Sequence, residues 1–159
     1  MDGGDYPLCM TNEQSATAIT ASLKWAKKLR EAGWAQEASC FYWFEHWQMG
    51  IDENGEQVVE PHLLETVLLP NSGGSLHHHA WAAPTAEEIL RRLPDILEER
   101  FSLIIFRDYN REEKKQEWCL MYEHIPNRMP LYSESADTLA NAASAMYVFL
   151  SKNNLLPTT

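Results

Sequence analysis

The segment SLIIFRDYNREEKKQEWCLMYE, residues 102–123, carries the strongest indication of the fold, because it predicts a β-hairpin. Aliphatic and aromatic residues dominate 102–109 and 116–123, as is typical of two strands on a pleated, half-buried surface. The charged stretch 110–115 separates them and predicts the connecting loop. An antiparallel sheet is therefore expected in the second half of the chain.

The two strands of this hairpin differ in how their hydrophobic residues alternate. Side chains of a strand point to opposite faces in turn, so Leu103 and Ile105 alternate with Ile104 and Phe106. The centre of the first strand is thus apolar on both faces. One face of the second strand carries Trp118, Leu120 and Tyr122.

Residues 12–32 predict the first helix. Thr11 and Gln14 have the spacing of a capping box, and Gly33 is suited to the left-handed conformation that ends helices. The apolar stripe of this helix comprises Ile19, Leu23, Ala26 and Leu29.

Two further helices are predicted downstream. Thr85 and Glu88 form the clearest capping box in the chain, and Pro94 limits that helix. The last helix is expected to begin near Ser135 and to end near Asn153. Its predicted buried stripe is Leu139, Ala143, Met146 and Leu150, with Asn141, Ser144 and Ser151 mainly outside it.

The aromatic stretch 39–48 predicts a strand, and Asn54-Gly55 favours a turn into a returning strand at 57–60, which Pro61 interrupts. Residues 50–80 are expected to form an insertion or long excursion. The predicted order is α-ββ-α-ββ-α: an α+β fold with one antiparallel sheet of about four strands and three helices on one face. A single domain at 11–155 would follow a flexible N-terminus at 1–10.

Bulk properties exclude several classes of function. The 159 residues carry a net charge of −10, which argues against direct binding to nucleic acid or to anionic membranes. An acidic mimic of nucleic acid remains open. Three cysteines without CxxC spacing indicate free thiols in a reducing compartment, and neither a signal peptide nor a membrane helix is predicted.

Histidines provide the candidate metal site. In an extended chain, His77 and His79 project to the same side and could bind zinc together with His62, His46 or a carboxylate. Against this, adjacent histidines cannot all reach one ion, and the preceding Gly-Gly-Ser favours a plain loop. No other cofactor is predicted.

The aromatic strand provides the candidate protein-binding residues Trp43, Trp47 and Tyr42. Aromatic residues dominate protein cores as well, and one face of this strand is expected to pack on helices. Cys40 and Cys119 are interpreted as small buried hydrophobic residues, since no base that would activate a nucleophile is evident. No catalytic residue is assigned.

Three segments together resemble a known family: residues 23–36 (LKWAKKLREAGWAQ) before the aromatic strand, residues 83–90 (APTAEEIL) before Leu93-Pro94, and residues 134–140 (ESADTLA). The arrangement is similar to a family of small bacteriophage and prophage proteins of unknown function. The resemblance implies a phage or prophage origin and the cytoplasm of a bacterial host. It implies no activity, because the matching motifs are helix caps and core stripes.

These observations favour a non-enzymatic accessory protein that binds a host or phage protein, for example as an inhibitor of host defence such as an anti-CRISPR protein. A metal-binding module or metal-dependent enzyme, an acidic nucleic-acid mimic and a self-associating domain are the alternatives.

Overall fold

The computed structural model describes residues 16, 18–51, 54–55, 57–70 and 80–156. Its helices are α1 (Leu23–Glu31), α2 (Ala86–Leu90) and α3 (Leu139–Lys152), with a 3₁₀-helix at Gln36–Ala38. Its strands are β1 (Phe41–Ile51), β2 (Gln57–Pro70), β3 (Ala80–Ala82), β4 (Ile96–Leu97), β5 (Phe101–Asn110), β6 (Lys115–His124) and β7 (Pro130–Ala136). The predicted α+β class is confirmed.

The strands form two antiparallel sheets rather than one. Sheet one has the order β2-β1-β3, and sheet two has the order β4-β5-β6-β7. The described elements therefore follow the order α-βββ-α-ββββ-α. The additional strands are β3, β4 and β7; the first two have only 3 and 2 residues, too short to show an alternating pattern.

Strand β2 is longer than the sequence predicts and continues through Pro61 to Pro70. It pairs with β1 from Phe41 opposite Pro70 to Ile51 opposite Gln57. The register shifts between Trp47 and Met49, and Pro61 falls within this irregularity. A proline without an N–H group is tolerated there because β2 is an edge strand with a bulge.

Residues 16, 18 and 19 are helical and helix α1 begins at Leu23, so the helix predicted over 12–32 is interrupted at 20–22, where the chain bonds to other elements. Thr20 forms a β-bridge with Thr85, and the Ala21 amide donates to the Pro84 carbonyl at 2.8 Å. The Ser22 amide donates to Asn141 Oδ1 at 2.9 Å. These tertiary bonds replace helical ones, and Ile19 is 52% exposed. The proposed Thr11–Gln14 box lies outside the described residues.

Gly33 ends α1 as predicted. It has a φ of +85°, and its amide donates to the Arg30 carbonyl while the Trp34 amide donates to the Leu29 carbonyl. This is a Schellman motif, and Trp34 and Leu29 are both buried beside it. The bend directs the chain from α1 into the 3₁₀-helix.

Helix α3 lies at the centre of the molecule, in contact with α1, α2, β6 and β7. It begins at Leu139 with Thr138 as N-cap, so the predicted start near Ser135 is wrong. Ser135 belongs to β7 and pairs with Cys119. Asn141 and Ser144 are buried, contrary to the prediction, because neighbouring elements surround this helix on nearly every side.

The predicted hairpin at 102–123 is confirmed as β5 and β6, which pair from Phe101 opposite His124 to Asn110 opposite Lys115. The inner face of sheet two packs on α3. Leu120 and Tyr122 are fully buried there, and the Tyr122 hydroxyl donates to the Pro94 carbonyl at 2.6 Å. Trp118 packs against the same core.

Replacing Gly33 by alanine tests the bend after α1. We expect Gly33→Ala to lower the free energy of unfolding by about 1 kcal/mol, since a Cβ in the left-handed conformation is strained. No atom of the described residues lies within 4 Å of that added Cβ, so the strain comes from the backbone conformation. Urea denaturation measures the change. Gly33→Asn should lose less, because asparagine tolerates this conformation; an equal loss in both variants would contradict the explanation.

Candidate functional site

The face of sheet two that points away from α3, here called the outer face, is largely apolar. Alternation along the paired strands assigns to it Ile96, Ile104, Phe106, Cys119, Met121 and Leu131. Ile104 lies opposite Met121, and Phe106 lies opposite Cys119. The hydrophobic residues of four neighbouring strands, β4, β5, β6 and β7, therefore form a contiguous surface.

Much of the outer face is exposed to solvent. Ile96 is 56% exposed, Phe106 36% and Leu131 41%. Ile104 and Met121 are half-buried. Among the described elements, the helix in contact with β6 and β7 is α3, which packs on the inner face. The described structure thus supplies a helical layer to one face of the sheet and leaves the other open.

Cys119 lies in the middle of the outer face but is itself buried. Burial raises the pKa of its thiol, and the carboxylates of Asp108 and Glu117 add to the effect. Cys40 is exposed, which corrects its prediction as a buried residue. The charge of Glu88, followed by partial burial, raises the pKa of the Cys40 thiol. A raised pKa keeps both thiols protonated and makes them poor nucleophiles.

A groove runs between α2, the N-terminal end of α3 and the segment at 18–19. Two adjoining hollows form it, with volumes of about 620 and 540 Å³. Both are lined by Ala86, Glu87 and Leu139. The first hollow extends to Leu90, Arg91, Leu93 and Asp95, and the second to Ala18, Ile19, Thr85, Trp118, Asp137, Thr138 and Ala140.

The wall of the groove is fixed by Asn141, which is only 7% exposed. Its Oδ1 accepts from the Ser22 amide at 2.9 Å, and its Nδ2 donates to Asp137 Oδ1 at 2.9 Å. The backbone amide of Asn141 donates to Thr138 Oγ1 at 3.2 Å. One side chain therefore joins the segment before α1 to the first turn of α3.

The predicted aromatic residues belong to sheet one. Tyr42 is 6% exposed, and its hydroxyl donates to the Gln36 carbonyl at 2.7 Å. Trp43 is half-buried, pairs with Trp81 and donates from Nε1 to the Ala21 carbonyl at 2.8 Å. Trp47 pairs with Leu64 in β2. These contacts give Tyr42 and Trp43 structural roles, and binding through the three residues stays a prediction.

The proposed histidine site is not described as a unit. His62 lies in β2, while His77 and His79 are outside the described residues. Within the part of the chain that the structure describes, no group of three histidine, cysteine or carboxylate side chains is placed to hold a metal ion. The zinc hypothesis therefore stays a prediction.

Sequence patterns indicate one of the two surfaces. The centre of β5 has hydrophobic residues on both sides of the strand, and this pattern predicts that each side of the sheet is buried or binds a partner. The pattern therefore indicates the hydrophobic outer face. The groove has no counterpart in any motif, because it depends on where the segment at 18–19 meets α2 and α3.

Comparison of the chain with protein-family models, curated proteins and solved structures finds no match. None of the described helices is both long and apolar enough to cross a membrane.

Glu134 provides a test of electrostatics on the inner face. Burial raises the pKa of its carboxyl, and the charge of Lys28 opposes the shift. When a carboxyl has a higher pKa in the folded state than in the unfolded state, the folded protein becomes less stable as pH rises from the lower of these pKa values past the higher one. Glu134→Gln should therefore be more stable than wild type at neutral pH, by less than about 1 kcal/mol for this partly exposed group.

Thermal unfolding measured across pH checks this expectation. The difference in stability between Glu134→Gln and wild type should vanish near about pH 3, where the Glu134 carboxyl is protonated in the folded and in the unfolded protein. Glu112→Gln, in the exposed β5–β6 loop, serves as the control. A Glu134→Gln stability difference of the same size at every pH would contradict the electrostatic explanation.

Asn141→Ala tests the join between α1 and α3. The substitution removes the side-chain acceptor of the Ser22 amide, and we expect a loss of about 2 kcal/mol in unfolding free energy. Asn153→Ala is the matched control. The side-chain amide of Asn153 also makes a hydrogen bond, to the Phe149 carbonyl, but this residue is exposed. Chemical denaturation of the two variants should separate them clearly; equal losses would contradict the role of Asn141.

Proposed function

We propose that this protein is a non-enzymatic binding module that holds a partner protein on the outer face of sheet two. The observation that carries the proposal is the exposure of a contiguous hydrophobic surface across β4, β5, β6 and β7. Soluble proteins rarely leave such surfaces open unless they serve recognition.

The shape of the surface supports a macromolecular partner. An open strand surface resembles the flat centres of protein interfaces more than the concave pockets that bind small molecules. Phe106 supplies the kind of partly exposed aromatic side chain on which binding energy concentrates. Ser133 and Ser135 lie beside Met121 and Cys119 and place hydroxyl groups next to the hydrophobic centre.

Charges at the ends of the surface disfavour nucleic acid. Strand alternation places Asp108, Glu117 and Glu123 on the outer face together with Lys115. Lys115 is engaged by Glu113 and by Glu117, the latter at 3.2 Å. A phosphate backbone would meet carboxylates rather than free cations on this face.

The class of partner follows from the resemblance to phage and prophage proteins. We propose that the partner is a host or phage protein, with inhibition of a host defence system, as by an anti-CRISPR protein, as one specific form.

Substitutions on the two sides of β5 test the proposal. We expect Phe106→Ser, on the outer face, to lose a partner that wild type recovers in stoichiometric amounts from a lysate of the source organism. Removing a central aromatic side chain commonly weakens an interface by about 2 kcal/mol or more. Tyr109→Ser is the matched control, since Tyr109 is an exposed aromatic residue of the same strand on the opposite face. Affinity capture with quantitative mass spectrometry compares the three proteins.

Two results would contradict the proposal. One is the absence of any stoichiometric partner for wild type; the other is equal recovery by wild type and Phe106→Ser while both remain folded by circular dichroism. Sedimentation of the purified protein identifies a second copy as the occupant if a dimer forms and Phe106→Ser dissociates it.

A further inference from the structure

We infer that the groove between α2 and α3 is a second binding site, for a peptide segment of a partner protein that places a Lys or Arg next to a hydrophobic side chain. This site is independent of the outer face, because it lies on the side of the molecule that contains α2 and the first turn of α3. Its shape and its charges support the inference separately.

The shape of the groove suits an extended segment. The two hollows share Ala86, Glu87 and Leu139, so they lie side by side. Each has a volume within the range of about 300–1,000 Å³ that is usual for ligand sites. Two adjacent hollows of this size suit neighbouring residues of a peptide.

Hydrophobic side chains form the floor of the groove. Leu90 and Leu93 line the first hollow, Ile19 and Trp118 line the second, and Leu139 contributes to both. Ile19 is among the more exposed large hydrophobic residues, at 52%. Covering this floor with an aliphatic side chain removes apolar surface from water on both molecules.

The charges of the groove select a cation. Its ionisable lining residues are Glu87, Arg91, Asp95 and Asp137. Arg91 donates to Glu87 Oε1 at 2.5 Å, so these two charges compensate each other. Asp95 and Asp137 remain without an ion-pair partner among the described residues. A ligand with a positive charge beside its apolar part matches this arrangement, whereas an anionic ligand meets two carboxylates.

A second copy of this chain fits the groove poorly. The three lysines of α1 are already placed over tryptophan rings: Lys24 and Lys28 over Trp25, and Lys27 over Trp81. Lys27 also pairs with Glu45 at 2.7 Å. Each copy carries a net charge of −10, so two copies repel each other. The charge pattern therefore favours a different, basic partner.

Titration with blocked tetrapeptides tests the inference on the full chain. One peptide alternates leucine with lysine, and the matched peptide alternates leucine with glutamate. We expect amide chemical shifts of Ala86, Leu90 and Leu139 to move saturably with the lysine peptide. The glutamate peptide should bind at least about tenfold more weakly, since two carboxylates repel it.

Variants of the lining assign the effect to individual groups. Asp95→Asn should weaken the lysine peptide about two- to fivefold, as expected for one exposed charge pair. Ala86→Phe should fill the shared part of the groove and abolish the shifts. Glu98→Gln, an exposed carboxylate outside the groove, is the control and should bind like wild type. Salt should weaken binding of the lysine peptide to wild type.

Three results would overturn the inference: equal binding of the two peptides, binding that Ala86→Phe leaves intact, and nuclear Overhauser contacts from residues 1–15 to Leu139 in the free protein. The last would identify the N-terminal segment of the chain itself as the occupant. All three readouts are independent of the partner that the outer face binds, so failure here leaves the proposed function standing.

Discussion

The hydrogen bonds of Asn141 hold together the part of the molecule on which the groove depends. Its side chain accepts from the Ser22 amide and donates to Asp137, so a buried helix, the segment before α1 and the residue preceding the N-cap of α3 meet at one group. The next residues back along the chain, Thr20 and Ala21, bond to Thr85 and Pro84 at the start of α2. The segment at 18–22 is thereby bound at both α2 and α3, and the groove lies between these attachments.

The position of α3 explains why a polar residue is retained in the centre. A helix surrounded by α1, α2, β6 and β7 has almost no solvent-facing side, so each polar group on it needs an internal partner. Ser144 bonds to the Ala140 carbonyl at 2.7 Å, and Asn141 bonds across to Ser22. All buried side-chain nitrogen and oxygen atoms of the described residues are satisfied. Because an unpaired buried amide costs more than a paired one gains, these bonds fix which segments are neighbours.

Local chemistry determined what the sequence could predict. The capping box of Thr85 and Glu88, the left-handed Gly33 and the hairpin at 102–123 depend on residues close together in the chain, and the structure confirms all three. The errors arise where hydrogen bonds between residues far apart in the sequence override the helix preference of neighbouring residues. The helix predicted through Thr20 stops because Ala21 and Ser22 bond to Pro84 and Asn141, which no local pattern reveals. For the same reason β5 indicates the outer face directly, whereas the groove is invisible in the sequence.

The two surfaces differ in a way that follows from the fold. Among the described elements, one helix, α3, packs on sheet two, so the hydrophobic residues that β5 carries on its second face have no described cover. The groove arises instead from incomplete packing of short elements: α2 has 5 residues and cannot cover the end of α3 along its length. A wide hydrophobic surface and a narrow acidic depression suit different parts of a partner, the first its folded surface and the second an extended segment. A partner that has both would bind with an avidity that neither surface provides alone, provided that its extended segment can reach from the outer face to the groove.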